Sequence, residues 1–320
     1  MFNYLNINIS KVYPTLVVGT YSSGKSTLIN ALMGTELLPN SNAACTRRVT
    51  AILDNDMMDH FRIHNVDMET NYMSVIQATK AELQLYNERD RNSELLIEGD
   101  IKGIRNGKRS LLLIDTPGIN NCLNDKKEDD TRRILDEFSE GMILYIINAE
   151  QLGTTDDMAF LKYVSEKVNH TDRFNIIFVI NKMDCVDDEQ ELPELLISNA
   201  KRYIAECGIA APVIIPVSAA AALLFKKALG KEQMTKKECR NLDYWFDIFK
   251  RTGYALTDYA VLPERGSMTQ IMISGHTRAS LYAALDNTGL PLLEHAINDM
   301  LIGPSKTKTP QIECIKAEKY

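Results

Sequence analysis

The residues Gly19-Thr20-Tyr21-Ser22-Ser23-Gly24-Lys25-Ser26 have the spacing GxxxxGK[ST], and that spacing suits the holding of a polyphosphate. The glycines let backbone approach phosphate oxygens, and the loop amides and the start of a following helix donate to them. Lys25 is placed to reach the β- and γ-oxygens, and the Ser26 hydroxyl to ligate Mg²⁺. The expected nucleotide contacts are therefore Gly19, Tyr21, Ser22, Ser23, Gly24, Lys25, Ser26 and the adjoining Thr27, with Lys25 also stabilising charge during catalysis. Asp115-Thr116-Pro117-Gly118 adds a carboxylate and then a backbone amide directly after an apolar run. Asp115 is expected to hold the metal through water. The Gly118 amide is expected to touch the γ-phosphate, so that the turn moves when that phosphate leaves.

Asn181-Lys182-Met183-Asp184 is the segment that would choose the base. A carboxylate at Asp184 accepts from the N1 and N2 hydrogens of guanine; adenine has no such donor pair and would leave the charge unsatisfied. A buried polar group left without a partner costs about 1–3 kcal/mol, more when charged, which separates GTP from ATP by one or more orders of magnitude. Asn181 would brace the pocket, Lys182 would lie along the ring, and Ser218-Ala219 would offer a loop amide to the guanine O6.

These motifs need a scaffold that presents loops at one edge. Apolar runs at 15–18, 111–114 and 176–180 read as buried parallel strands, and helical patterns at 26–33, 130–137 and 158–167 lie between them. That alternation predicts an α/β fold, a doubly wound phosphate-loop domain with a mainly parallel sheet. Residues 55–110 are more polar; they suggest a helix over 73–86 and a hairpin of 94–101 with 109–114 through the turn Asn106-Gly107-Lys108. A helical insertion over about 220–285 precedes the last helix, which opens at Thr288-Gly289-Leu290-Pro291 and carries Leu293, Ile297 and Leu301 on one face.

Composition limits the other readings. The 320 residues, 45% hydrophobic, suffice for a core without disulfides, and the six cysteines form no CxxC pair. A reduced, cytoplasmic setting is expected, with no secretory leader in MFNYLNINISKVYP. The 36 basic against 43 acidic residues give a charge of −7, which argues against nucleic acid as a partner. Lys226, Lys227 and Lys231 read either as a small basic patch for anionic lipid or as a solvated face. The charge-free stretch 207–225 is interrupted by Gly208, Pro212, Pro216 and Ser218 and reads as core, not as a membrane span. His60 and His64 would share a face if helical, without the further ligands of a zinc site, and Trp245, Phe246 and Phe249 read either as packing the insertion onto the core or as an interaction surface.

TYSSGKSTLINALMGTELLP followed by Thr46-Arg47-Arg48 resembles the dynamin superfamily, and residues 141–160 with NKMDCVDD are similar to bacterial dynamin-like proteins. The resemblance implies a GTPase domain over 1–302 and a polar tail, or the first piece of a stalk, over 303–320; the family's long stalk and membrane tip fall outside these 320 residues, so the chain is expected to be either a fragment or a reduced member. It implies that Thr46, in preference to Thr35 or Thr50, closes over Mg²⁺ and the γ-phosphate. Ser22 would touch phosphate near the attacking water, and Arg47 and Arg48 would tune binding or neutralise charge. It further implies GTP hydrolysis raised by homodimerisation, and peripheral contact with membrane lipid through other regions. Tyr21 stands where eukaryotic dynamins carry a water-positioning glutamine, and Ile119 where small GTPases often do, so a backbone group or a second protomer is expected to complete catalysis. Two alternatives share the motifs: an Era-like ribosome- or RNA-associated GTPase, with a similar GLPLLEHAI-type last helix, and a scaffold that binds GTP with negligible turnover.

Overall fold

A strand covered on both faces must be apolar, and the run GMILYIIN is buried along its whole length for that reason, as is the second half of FNIIFVIN beside it. The computed structural model describes residues 8–39, 49–66, 73–89, 95–118, 125–171, 173–185, 192–251, 254–263 and 280–302. Nine strands form one sheet: β1 (Val12–Gly19), β2 (Thr50–Asp54), β3 (Arg62–Val66), β4 (Met73–Gln77), β5 (Leu95–Gly99), β6 (Ser110–Asp115), β7 (Gly141–Asn148), β8 (Phe174–Asn181) and β9 (Val213–Val217). Their order is β4-β3-β5-β2-β6-β1-β7-β8-β9. The half from β6 to β9 is parallel throughout, whereas β2 runs antiparallel to β6 while pairing in parallel with β5.

The helices are α1 (Lys25–Met33), α2 (Lys80–Arg89), α3 (Asp125–Glu137), α4 (Thr155–Asn169), α5 (Pro193–Glu206), α6 (Ala219–Leu229), α7 (Lys236–Phe249), α8 (Leu281–Asn287) and α9 (Leu290–Ile302). The α/β fold with a mostly parallel sheet is thus as the strand runs imply. Among the described residues no helix is long and apolar enough to cross a membrane, and the charge-free stretch 207–225 contributes β9 and the start of α6. On α9, Leu293, Ile297 and Leu301 are buried together.

Three sequence expectations are corrected. Residues 73–86 are not one helix: β4 ends at Gln77, and α2 starts after Thr79, whose hydroxyl accepts from the Glu82 amide at 3.2 Å. Nor do β5 and β6 form a hairpin, because β2 is inserted between them. Asn106 serves a wider connection instead, its Oδ1 accepting from the Leu111 amide at 3.0 Å. His64 lies on β3 with its Nε2 2.8 Å from Glu98 Oε2, so it shares no helix face with His60.

The insertion packs as the aromatic cluster suggests. Phe249 at the end of α7 is fully buried edge-on against Phe225 of α6, with ring centroids 6.1 Å apart. Lys227 pairs with Glu238, which also closes a capping box with Thr235 at the start of α7. Lys226 donates to the Leu32 carbonyl at 2.9 Å and pairs with Glu294 of α9. Two of the three lysines considered as a basic patch therefore face inward as structural cations.

Candidate functional site

The carboxyl ends of β1, β6, β7, β8 and β9 meet along one edge, fixed by the registers Val17 to Asp115, Gly19 to Ile146, Asn148 to Asn181 and Asn181 to Val217. Ligands of open α/β sheets bind beyond this edge. Four motifs separated in the chain are placed there together.

Between β1 and α1 the chain turns in a tight loop in which Ser22 (φ 60°) and Gly24 (φ 90°) both adopt left-handed conformations. Ser22 has a side chain and pays for that conformation, the kind of local strain found at ligand clamps. Gly24 caps α1 without a side chain, so nothing of its own competes for the first amides of the helix. A Cβ on Gly24 would lie 2.3 Å from Asn181 Nδ2, so the close fit of the two loops requires glycine there.

Lys25 is 7% exposed, and its ammonium donates to the Gly19 and Thr20 carbonyls, each at 2.9 Å. Burial lowers its pKa to about 8, partly opposed by the Asp115 carboxylate. A polyphosphate arriving here would restore the favourable charge balance that burial removes. Ser26 Oγ donates to Asp115 Oδ2 at 3.3 Å. A hydroxyl and a carboxylate side by side at a phosphate loop are hard oxygen ligands of the type magnesium takes, so the residues fit that ion.

The turn after β6 sits against the same loop: a Cβ on Gly118 would lie 3.0 Å from Tyr21 Cα and 3.1 Å from Lys25 Nζ. Thr116 fastens it by donating to the Val17 carbonyl at 2.8 Å, and Thr131 of α3 by donating to the Pro117 carbonyl at 3.0 Å. Thr116 lies within the Asp115-to-Gly118 motif but its fastening role is not marked there, and Thr131 belongs to no motif. Their role follows from register, which sequence alone does not give.

Asn181 joins the phosphate and base sides. Its Nδ2 donates to the Ser23 carbonyl at 3.0 Å, and its Oδ1 accepts from the Ala219 amide at 3.2 Å. That amide, expected for the guanine O6, is thus engaged by Asn181. Lys182 has φ 64°, after which a short turn over Met183–Cys185 presents Asp184; Ser218 Oγ donates to Asp184 Oδ1 at 2.6 Å. The Lys182 ammonium lies 3.5 Å from Glu150 Oε2, a partner unmarked in the sequence. Ser218 is in turn held by its amide donating to the Thr288 carbonyl at 3.0 Å. A Cβ at the neighbouring Gly289 (φ 78°) would strike the Pro216 carbonyl oxygen at 2.0 Å, which explains the glycine of the TGLP segment.

Thr46, Arg47, Arg48 and Ile119 lie outside the described residues. All the other sequence-marked residues fall along this edge: Gly19 to Thr27, Asp115, Gly118, Asn181, Lys182, Asp184, Ser218 and Ala219.

Fold and site together define a phosphate-loop nucleotide-binding domain of the G-domain class. The chain belongs to the dynamin family, whose model matches residues 15–183, more than half of its length. It is 24% identical over 221 residues to a probable transmembrane GTPase, FZO-like and chloroplastic, of Arabidopsis thaliana, covering 67% of this chain and 20% of that protein. It is 25% identical over 218 residues to mitofusin FZO1 of Saccharomyces cerevisiae, covering 60% and 24%. The chain thus spans a fifth to a quarter of these relatives. A solved structure of an oligomerised bacterial dynamin pair, described as sensing and tethering membranes, aligns with a TM-score of 0.47 and 18% identity over 80% of this chain and 40% of that one.

Proposed function

We propose that this chain binds GTP with Mg²⁺ and hydrolyses it to GDP and phosphate, in a G domain extending over 1–302. The observation that carries the reading is Asn181: one buried side chain bonds the phosphate loop at Ser23 and the base loop at Ala219, so the two halves of a nucleotide site are built as one unit. Family membership supports a guanine nucleotide.

In this mechanism Gly19 to Thr27 wrap the phosphates, and Lys25, oriented by two carbonyls, neutralises the outer ones. Ser26, Asp115 and Thr46 would hold magnesium, which when bound supplies charge neutralisation on the phosphates. Gly118, packed against Tyr21 and Lys25, reports the presence of the γ-phosphate to the turn after β6. Asp184 reads guanine with one carboxylate oxygen held by Ser218. By the family resemblance Ser22 would touch phosphate oxygens near the attacking water. With Tyr21 in the loop, we infer that a backbone group or a second protomer completes water positioning, so turnover rises on homodimerisation. Coupling to a membrane is suggested by the name of the Arabidopsis thaliana relative, a probable transmembrane GTPase, and would act through regions other than the matched one.

The test is base selectivity. Asp184→Asn should cut the preference for GDP over ADP by about ten- to hundredfold, read by competition against a fluorescent nucleotide. Unchanged selectivity would remove Asp184 from the base site.

A further inference from the structure

The Asp184 carboxylate is oriented by a chain of hydrogen bonds that begins outside the nucleotide loops. Ser218 is fully buried at the start of α6, where its Oγ accepts from the Ala221 amide at 3.4 Å. That bond occupies a lone pair of the hydroxyl, whose proton goes to Asp184 Oδ1, 2.6 Å away. The Cys185 thiol, a weak donor, lies 3.6 Å from the other oxygen, Oδ2. The rotation of the carboxylate is therefore set chiefly by where Ser218 sits.

Ser218 is placed in turn by the junction of α8 and α9, seventy residues further along the chain. Its amide donates to the Thr288 carbonyl at 3.0 Å. Thr288 is fully buried, and its hydroxyl serves both helices: Oγ1 donates to the Leu285 carbonyl at 2.6 Å, closing α8, and accepts from the Leu290 amide at 3.4 Å, opening α9. A Cβ on Gly289, at φ 78°, would lie 2.0 Å from the Pro216 carbonyl oxygen and 3.5 Å from Val217 Cα, so the junction rests on the last two residues of β9 before Ser218. Asn287 fastens the outer side by donating to the Phe249 carbonyl at the end of α7, at 2.7 Å. A buried junction bonded on both sides, with a backbone contact that admits no side chain, has little room to shift without carrying Ser218 with it.

We propose that Thr288 and Gly289 are positioning residues for base specificity: standing behind the base loop, they fix the rotation of Asp184 through Ser218, and with it the recognition of the guanine 2-amino group. The inference rests on the reading of Asp184 as the guanine acceptor. A carboxylate with both oxygens toward the base accepts from N1–H and from the 2-amino group; rotated away, it keeps one bond and loses the other. Hypoxanthine has the N1–H and O6 of guanine and lacks only the 2-amino group. The ratio of GDP to IDP affinity therefore isolates the second bond, and a bond to a charged acceptor is worth about ten- to hundredfold.

The full chain and its variants are titrated with GDP and with IDP by competition against a fluorescent GDP analogue, and the thermal midpoint is read beside each. The parent should prefer GDP by about ten- to hundredfold. Thr288→Val keeps the side-chain shape and removes the hydroxyl from both helices; it should cut that preference about fivefold, the worth of one neutral hydrogen bond, by weakening GDP more than IDP. Gly289→Ala should cut it further, and Thr288→Val decides the matter if that variant fails to fold. Ser218→Ala should also lose preference, and adding Thr288→Val to it should change the ratio by less than about twofold, because the junction acts through that hydroxyl. A junction that merely supports the fold would lower the midpoint and both affinities together. An unchanged GDP to IDP ratio in Thr288→Val, or additive losses in the double variant, would overturn the proposal and leave Asp184 as the guanine acceptor. A parent chain with no preference for GDP over IDP would remove Asp184 from that role and the proposal with it.

Discussion

Replacing Asn181 by alanine tests the idea that the phosphate and base loops are a single built unit. The side chain is 2% exposed and makes two bonds of ordinary length, to the Ser23 carbonyl at 3.0 Å and from the Ala219 amide at 3.2 Å. A typical intramolecular bond contributes about 1 kcal/mol net, and each partner stranded in a buried setting costs somewhat more. The pair is therefore worth about 2–3 kcal/mol. The loss divides between folding and binding, because the loops are already joined without nucleotide. If most of it falls on binding, GDP affinity should drop about thirtyfold or more, at about 1.4 kcal/mol per factor of ten. The assay is titration with a fluorescent GDP analogue, with the thermal midpoint measured beside it to apportion the loss. The variant Asn181→Asp is a second probe, since it keeps the acceptor for Ala219 but places a carboxylate against the Ser23 carbonyl, and it should bind no better than Asn181→Ala. Wild-type affinity and midpoint in Asn181→Ala would refute the coupling.

The remaining predictions concern the turn and the insertion. A methyl at Gly118 would meet Tyr21 Cα at 3.0 Å and Lys25 Nζ at 3.1 Å, so Gly118→Ala must shift the turn by a few tenths of an ångström. GTP turnover should fall on the order of tenfold, less than the hundredfold of a full 1 Å misplacement, while GDP binding stays within about threefold; single-turnover kinetics decide this, and unchanged turnover would contradict it. At Glu238, burial opposes ionisation, but hydrogen bonds from Lys227 and Thr235 outweigh it and hold the carboxyl at about 2 against an ordinary 4.5. Because the folded value is depressed, this stabilisation is present in full above pH 4.5 and is lost as pH falls toward 2. Glu238→Gln should be less stable near neutral pH and show a smaller loss through that acid window, followed by circular dichroism; an identical acid profile would exclude the contribution.

How much of this was readable from the residues depends on where each signal lies. Asp115, Asn181 and Ser218 close or directly follow apolar runs, and Lys25 and Ser26 open a helix one short loop after another, so strand ends and chemistry are marked by the same few residues. The first half of the sheet was harder. In MSVIQATKAELQLY the apolar residues mimic helical spacing, and only the Thr79 to Glu82 cap shows that a helix begins late. The Asn106-Gly107-Lys108 turn suggested a hairpin, but whether a third strand slips between two neighbours is decided by long-range packing, and β2 does so. For the same reason Thr116, Thr131 and Glu150 as supports of the site emerged only with the register.

The central claim is tested most directly by phosphate release from GTP, with ATP and the Lys25→Ala variant as controls, measured per protomer over a hundredfold range of protein concentration. The account predicts release from GTP alone, abolished in Lys25→Ala, with specific activity rising as protomers meet. Equal release from ATP, or full turnover in Lys25→Ala, would contradict it.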